Sequence, residues 1–99
     1  MRIIALKTIR DFWENPQYSD SEKSLRHWYD IARGADWASP HTVKNQYGSA
    51  SMVGQSRVVF NIAGNKYRLI VKFNYPKRKG FIRFIGTHAQ YDAIDARTI

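Results

Sequence analysis

No cysteine occurs among the 99 residues, which excludes disulfides, thiol nucleophiles and thiolate metal sites. Apolar runs are short. Ile3–Leu6 is too brief for the core of an export signal, charges follow at once, and nothing approaches the roughly 18 apolar residues of a membrane span. The chain therefore reads as cytoplasmic, with no membrane contact. Its three histidines, His27, His41 and His88, are scattered without metal-ligand spacing, so neither a metal nor a cofactor is expected. The most informative absence is acid. From Trp37 to Tyr91 there is no Asp or Glu, yet nine Lys or Arg occur. Residues 1–36 hold six side chains of each sign, so the formal charge of +8 belongs to that one segment. A merely solvated surface intersperses both signs. A basic segment stripped of carboxylates suits a polyanion, nucleic acid first.

What is present is enough for a folded core. Hydrophobic residues make up 43% of the chain and fourteen are aromatic, which argues against disorder and for a single domain over 1–99. Arg2–Ala5 reads as a strand. Leu6, Ile9 and Trp13 recur at helical spacing until Asn15-Pro16 stops the helix. Ser19-x-x-Glu22 has the form of a capping box for an amphipathic helix over Asp20–Arg33, whose stripe is Leu25, Trp28, Tyr29 and Ala32 and which Gly34 closes. His27 flanks that stripe as an ordinary surface residue. Residues 35–56 lack a long period, although Ser39-Pro40 can start one helical turn at about 40–46; His41 and Lys44 are ordinary there. Arg57–Ile62, Lys66–Tyr75 and Phe81–Gly86 are strands joined by short turns, hence antiparallel, and Thr87-x-x-Gln90 opens a helix at about 88–95. The expected order is β-α-α-β-β-β-α, an α+β domain with an antiparallel-rich sheet and two helices on one face.

Alternation divides the strands. Tyr67, Leu69, Val71 and Phe73 point inward, and Lys66, Arg68, Ile70 and Lys72 outward. The neighbouring strands give Val58, Phe60, Ile62, Ile82 and Phe84 inward, with Arg57, Val59, Asn61, Phe81, Arg83 and Ile85 outward. An open cationic face follows, with Arg57, Lys72 and Phe81 as RNA-binding candidates and Lys77, Arg78 and Lys79 at its hairpin turn. Aromatics among cations favour single strands and RNA over duplex DNA. No helix has the Arg, Lys, Asn and Gln content of a major-groove reader.

Titratable groups converge at one place. With Thr87 as cap, His88 lies in the first turn, Tyr91 at i+3 and Asp92 at i+4, where its charge tunes the imidazole. His88 can protonate a leaving 5′-oxygen or accept a ribose 2′-hydroxyl proton, and Arg68 and Arg83 can stabilise charge on the phosphorus centre. Such chemistry needs no metal.

These residues lie in two blocks, Phe60-Asn61-Ile62-Ala63-Gly64-Asn65-Lys66-Tyr67-Arg68-Leu69-Ile70 and Phe84-Ile85-Gly86-Thr87-His88-Ala89-Gln90-Tyr91-Asp92. In that order they resemble HigB-type toxins of the RelE-like superfamily, most strongly over about 37–95. The resemblance implies a RelE-like microbial RNase fold and a ribosome-dependent endonuclease that cuts translated mRNA in the A site. It implies a cognate helix-turn-helix antitoxin, HigA-like, through which the complex binds operator DNA. It places Arg68 and His88 in the site, with Lys66 and Tyr91 supporting. Several relatives use Arg or Lys where this chain has Thr87-His88, so general acid and base stay open. The alternative is a non-catalytic RNA- or ribosome-binding module using the same face.

Overall fold

In the computed structural model, which describes all 99 residues, the chain runs β1 (Arg2–Ile4), α1 (Leu6–Glu14), a 3-10 helix (Pro16–Ser21), α2 (Glu22–Gly34), α3 (Pro40–Gln46), β2 (Ser51–Gly54), β3 (Arg57–Ile62), β4 (Tyr67–Asn74), β5 (Lys79–Thr87) and α4 (His88–Asp92). The α+β class is as expected, with one strand more. That strand, β2, escaped notice because Ser51–Gly54 is short and mostly exposed, with no apolar alternation. The turn after Ser39-Pro40 is a full helix, α3, and Ser39 and Thr42 cap it reciprocally. Ser19 does not cap α2. Asn15 accepts from the Gln17 amide at 3.0 Å and starts the 3-10 turn at Pro16, while the Ser19 hydroxyl turns back to the Pro16 carbonyl. α2 then begins at Glu22 without a side-chain cap.

One sheet of five strands has the order β1-β5-β4-β3-β2, with β1 parallel to β5 and every other pair antiparallel. Its inner face supplies Val58, Phe60, Ile62, Tyr67, Leu69, Val71 and Phe73 to the core, against Ile9 and Trp13 of α1 and Leu25, Trp28 and Ala32 of α2. Trp28 meets Phe60 edge-on at 5.3 Å. Burying each such side chain contributes about 1.5–3 kcal/mol, which fixes the helices to this face.

A β-bulge alters the face assignment on β5. Ile70 pairs with Phe84 but Val71 pairs with Ile82, so Arg83 is the extra residue. Beyond it the alternation inverts. Phe84 lies opposite Ile70 on the outer face, and Ile85 lies opposite Leu69 and packs on the inner core, the reverse of the expectation. A one-residue slip moves every later side chain to the other face.

Nor is the outer face open. Val59 is 4% exposed and Ile70 fully buried, yet neither belongs to the helix-side core. The segment after α4 reaches this face, where the main-chain oxygen of Ile99 accepts from Arg57 Nε at 2.9 Å, Arg57 Nη2 at 2.8 Å and Arg83 Nε at 3.2 Å. Arg57, expected to be free, is buried beneath it.

Candidate active site

Thr87 closes β5 and caps α4: its hydroxyl accepts from the Gln90 amide at 3.1 Å, and its amide donates to Gln90 Oε1 at 2.9 Å. The reciprocal cap fixes where α4 starts and therefore where His88 stands. His88 Nδ1 lies 3.1 Å from Asp92 Oδ2, with both side chains more than half exposed. That contact orients the ring and leaves Nε2 facing away from the carboxylate, available to a substrate. Gly86 sits just before, and an added Cβ would lie 2.6 Å from Phe84 Cζ and 2.7 Å from Gln90 Oε1. Only glycine lets the Phe84 ring and the capping amide approach this closely.

Arg68 joins the same end of the sheet. It pairs with Gly86 on β5 and Asn61 on β3, two residues before His88 in the register. Its Nη1 donates to the Asn65 carbonyl at 2.8 Å and the Tyr67 carbonyl at 3.3 Å. These bonds hold the guanidinium, which has five donors, without using them all. No carboxylate pairs with it.

Lys66 departs from the expected outer face. It lies in the β3–β4 turn and pairs with Asp20 of the 3-10 helix, whose carboxylate also accepts from the Tyr67 hydroxyl. The bond to Asp20 raises Lys66 above the ordinary lysine range, so near neutrality Lys66 acts as a cation or acid and not as a base. The Lys66 and then the Tyr67 hydrogen bonds lower Asp20, while burial and then Asp20 raise the Tyr67 phenol. Tyr67 pairs with Thr87, and Gln90 Nε2 donates to the Tyr18 hydroxyl at 3.3 Å, so this cluster abuts the start of α4. Phe12 stacks on Tyr18 at 4.4 Å and meets Tyr67 edge-on at 5.3 Å, which fixes the 3-10 helix there. Asp20 and Tyr18 were not candidates from sequence. They come from a segment whose pattern indicated only a helix start.

The other candidates separate. Tyr91 is half-buried and faces a shallow cleft with Val53, Ile94 and Ala96. Arg83 lies five positions before His88 along the chain, about 16 Å by strand rise, and groups instead with Lys72 and Phe81 around a cleft of about 500 Å³. Arg78 pairs with Asp36 and donates to the Tyr75 carbonyl, so it braces the hairpin turn, in which Lys77 is exposed. Lys79 begins β5 opposite Asn74, with Arg2 on its other side.

No helix is long and apolar enough to cross a membrane. Among known proteins, the mRNA interferase HigB of Escherichia coli O6:H1 is 21% identical over 80 residues, 79% of this chain and 78% of that protein. The family HigB_toxin, described as the RelE-like toxic component of a toxin-antitoxin system, matches residues 21–94. With most of its length so matched, and with the capped His88 turn and the Arg68 strand inside the match, the chain belongs to the HigB family of RelE-like toxins.

Proposed function

We propose that the protein is an endoribonuclease that cleaves translated mRNA in the ribosomal A site without a metal ion, and that a cognate helix-turn-helix antitoxin of the HigA kind neutralises it and carries the complex to operator DNA. The observation that carries this reading is the His88–Asp92 pair at the capped start of α4, with the carboxylate-free Arg68 on the neighbouring strand. The E. coli relative bears the name mRNA interferase, which agrees.

In the reaction the ribose 2′-oxygen attacks the adjacent phosphorus and the P–O5′ bond breaks, leaving a 2′,3′-cyclic phosphate and a 5′-hydroxyl. One group removes the 2′ proton and another delivers a proton to O5′. His88, whose imidazole can both accept and donate a proton, is the side chain suited to either transfer. Arg68, with Lys66 kept protonated by Asp20, offsets the charge that grows on the phosphoryl oxygens. Tyr91, one turn beyond His88, lies on the same helix.

Inducing wild type, His88→Ala and Arg68→Ala in growing bacteria tests the proposal. Wild type is expected to arrest growth and create new in-frame 5′ ends in mRNA, with each variant weaker by at least about 100-fold in cleavage. Equal arrest by all three removes these residues from the chemistry. Arrest without new 5′ ends favours the non-catalytic RNA- or ribosome-binding module.

A further inference from the structure

α4 cannot hold its own place. It has five residues, none of them buried and only Tyr91 half-buried, and an isolated helix so short is unstable in water. The reciprocal cap between Thr87 and Gln90 fixes its first turn to the end of β5. One anchor leaves the helix free to swing about that point. His88 and Asp92 stand on it, so a swing carries the imidazole away from Arg68 on the neighbouring strand. A second anchor comes from far along the chain. Gln90 uses both ends of its amide: Oε1 accepts from the Thr87 N–H, and Nε2 donates to the Tyr18 hydroxyl at 3.3 Å.

Tyr18 has the support that a fixed point needs. Its N–H donates to the Asn15 carbonyl at 2.8 Å. Its own carbonyl accepts at 2.6 Å from the hydroxyl of Ser21, a side chain with no exposure at all. The ring lies flat on Phe12 at 4.4 Å and meets Tyr67 edge-on at 6.1 Å, both within the range at which aromatic rings set each other's orientation. Tyr67 in turn gives its hydroxyl to Asp20, which also holds Lys66. Tyr18 therefore stands between the two halves of the site. Through Gln90 it reaches the His88 turn, and through Tyr67 it adjoins the Lys66 pair.

We infer that Tyr18 is a positioning residue for the cleavage. Its hydroxyl holds the Gln90 amide, and through that amide the angle of α4, so that His88 meets the reacting phosphate together with Arg68 and Lys66. Tyr18 acts through Gln90, 72 positions further along the chain, and not on the RNA. Loss of the hydroxyl thus slows the chemical step and spares binding, since a misplacement near 1 Å costs up to about 100-fold in rate. The inference rests on the nuclease reading and adds to it a residue outside the sheet.

Tyr18→Phe removes the hydroxyl and keeps the ring on Phe12. On ribosomes carrying a defined message its kcat is expected to fall about 5- to 50-fold, with KM within about twofold of wild type. Tm is expected to stay within about 4 °C. The cycle with Gln90→Ala decides the route: in the Gln90→Ala protein, Tyr18→Phe is expected to cost nothing further. Additive losses, or a rise in KM alone, would put Tyr18 on the RNA and overturn the inference. So would a wild-type kcat once scaled to the folded fraction. The nuclear magnetic resonance signal of the His88 Cε1–H, recorded at fixed pH, reads the ring's place without any cleavage, in the same cycle. It is expected to shift or broaden in Tyr18→Phe and to ignore that change once Gln90 is alanine. A wild type that cuts no mRNA, with the signal moving as expected, refutes the nuclease reading and leaves the positioning role standing. Cleavage by wild type, with the signal unmoved in Tyr18→Phe, does the reverse.

Discussion

Replacing Gly86 by alanine tests whether close packing at the end of β5 sets the position of His88. The new methyl would lie 2.6 Å from Phe84 Cζ and 2.7 Å from Gln90 Oε1. Carbon atoms in ordinary contact are about 3.5–4.0 Å apart, so the ring must retreat by about 1 Å or the amide must move. The first response is overpacking, at about 1–3 kcal/mol. The second gives up the 2.9 Å bond from the Thr87 amide, at about 0.5–2 kcal/mol for a helix cap. The two are alternatives and do not add, so about 2 kcal/mol is expected. In a domain of this size that lowers Tm by about 8–16 °C. Gly86 does not have a positive φ, so the whole effect is steric. Because α4 shifts with its cap, cleavage well below the melting temperature should fall by about 100-fold, the usual cost of a misplacement near 1 Å. The assays are thermal unfolding by circular dichroism and mRNA cleavage at 20 °C or so, scaled to the folded fraction. Phe84→Ala supplies the control, since removing the ring should restore part of the lost stability in the double variant. Wild-type Tm and full cleavage in Gly86→Ala would refute the reasoning, as would strict additivity in the double variant.

Two further outcomes follow from burial and charge. Ile70→Ala should cost about 2–5 kcal/mol in urea unfolding, because Ile70 is fully buried; a change below about 0.5 kcal/mol would mean that the outer face is open after all. Asp20 is held below the ordinary aspartate pKa of about 3.9 by Lys66 and Tyr67. A lowered folded-state pKa means that its stabilisation is fully present above that ordinary value and fades as pH falls through the lower one. Asp20→Asn should therefore be less stable than wild type at pH near 7 and show a shallower loss below about pH 4. Parallel stability curves across that window would dissolve the Asp20–Lys66–Tyr67 cluster.

Much of this architecture was legible in the sequence because the signals were periodic or chemically specific. The stripe of Leu25, Trp28 and Ala32 gave α2, and the clean alternation from Tyr67 to Phe73 gave β4 and its inner face. Thr87 and Gln90 gave the cap that positions His88. What escaped depends on contacts between distant segments. The bulge at Arg83 has no local signature, since nothing in Phe81–Gly86 says that one residue is extra, so Phe84 and Ile85 were assigned to each other's faces. Ser19 satisfied a capping pattern but lost to Asn15-Pro16, which starts its turn earlier. Lys66 alternates with Arg68 in the sequence, yet a carboxylate from 46 residues away draws it to the other side. Asp20 could not be singled out, because its partners meet it only when the 3-10 helix docks on Phe12 and Tyr67.

The parallel pairing of β1 with β5 bears on when the toxin becomes dangerous. The strand that ends at Thr87 is flanked by β4 on one side and by Arg2–Ile4 on the other, so residues made first must wait for Lys79–Phe81. Pairings between such distant parts of a chain form slowly, since loop closure must precede any reward. A growing chain can close the hairpins of β2, β3 and β4 early, but it cannot lock both flanks of β5, nor set α4 on its end, until nearly all of it has been made. The turn that carries His88 therefore reaches its place only when strands from the two ends of the fold have found each other.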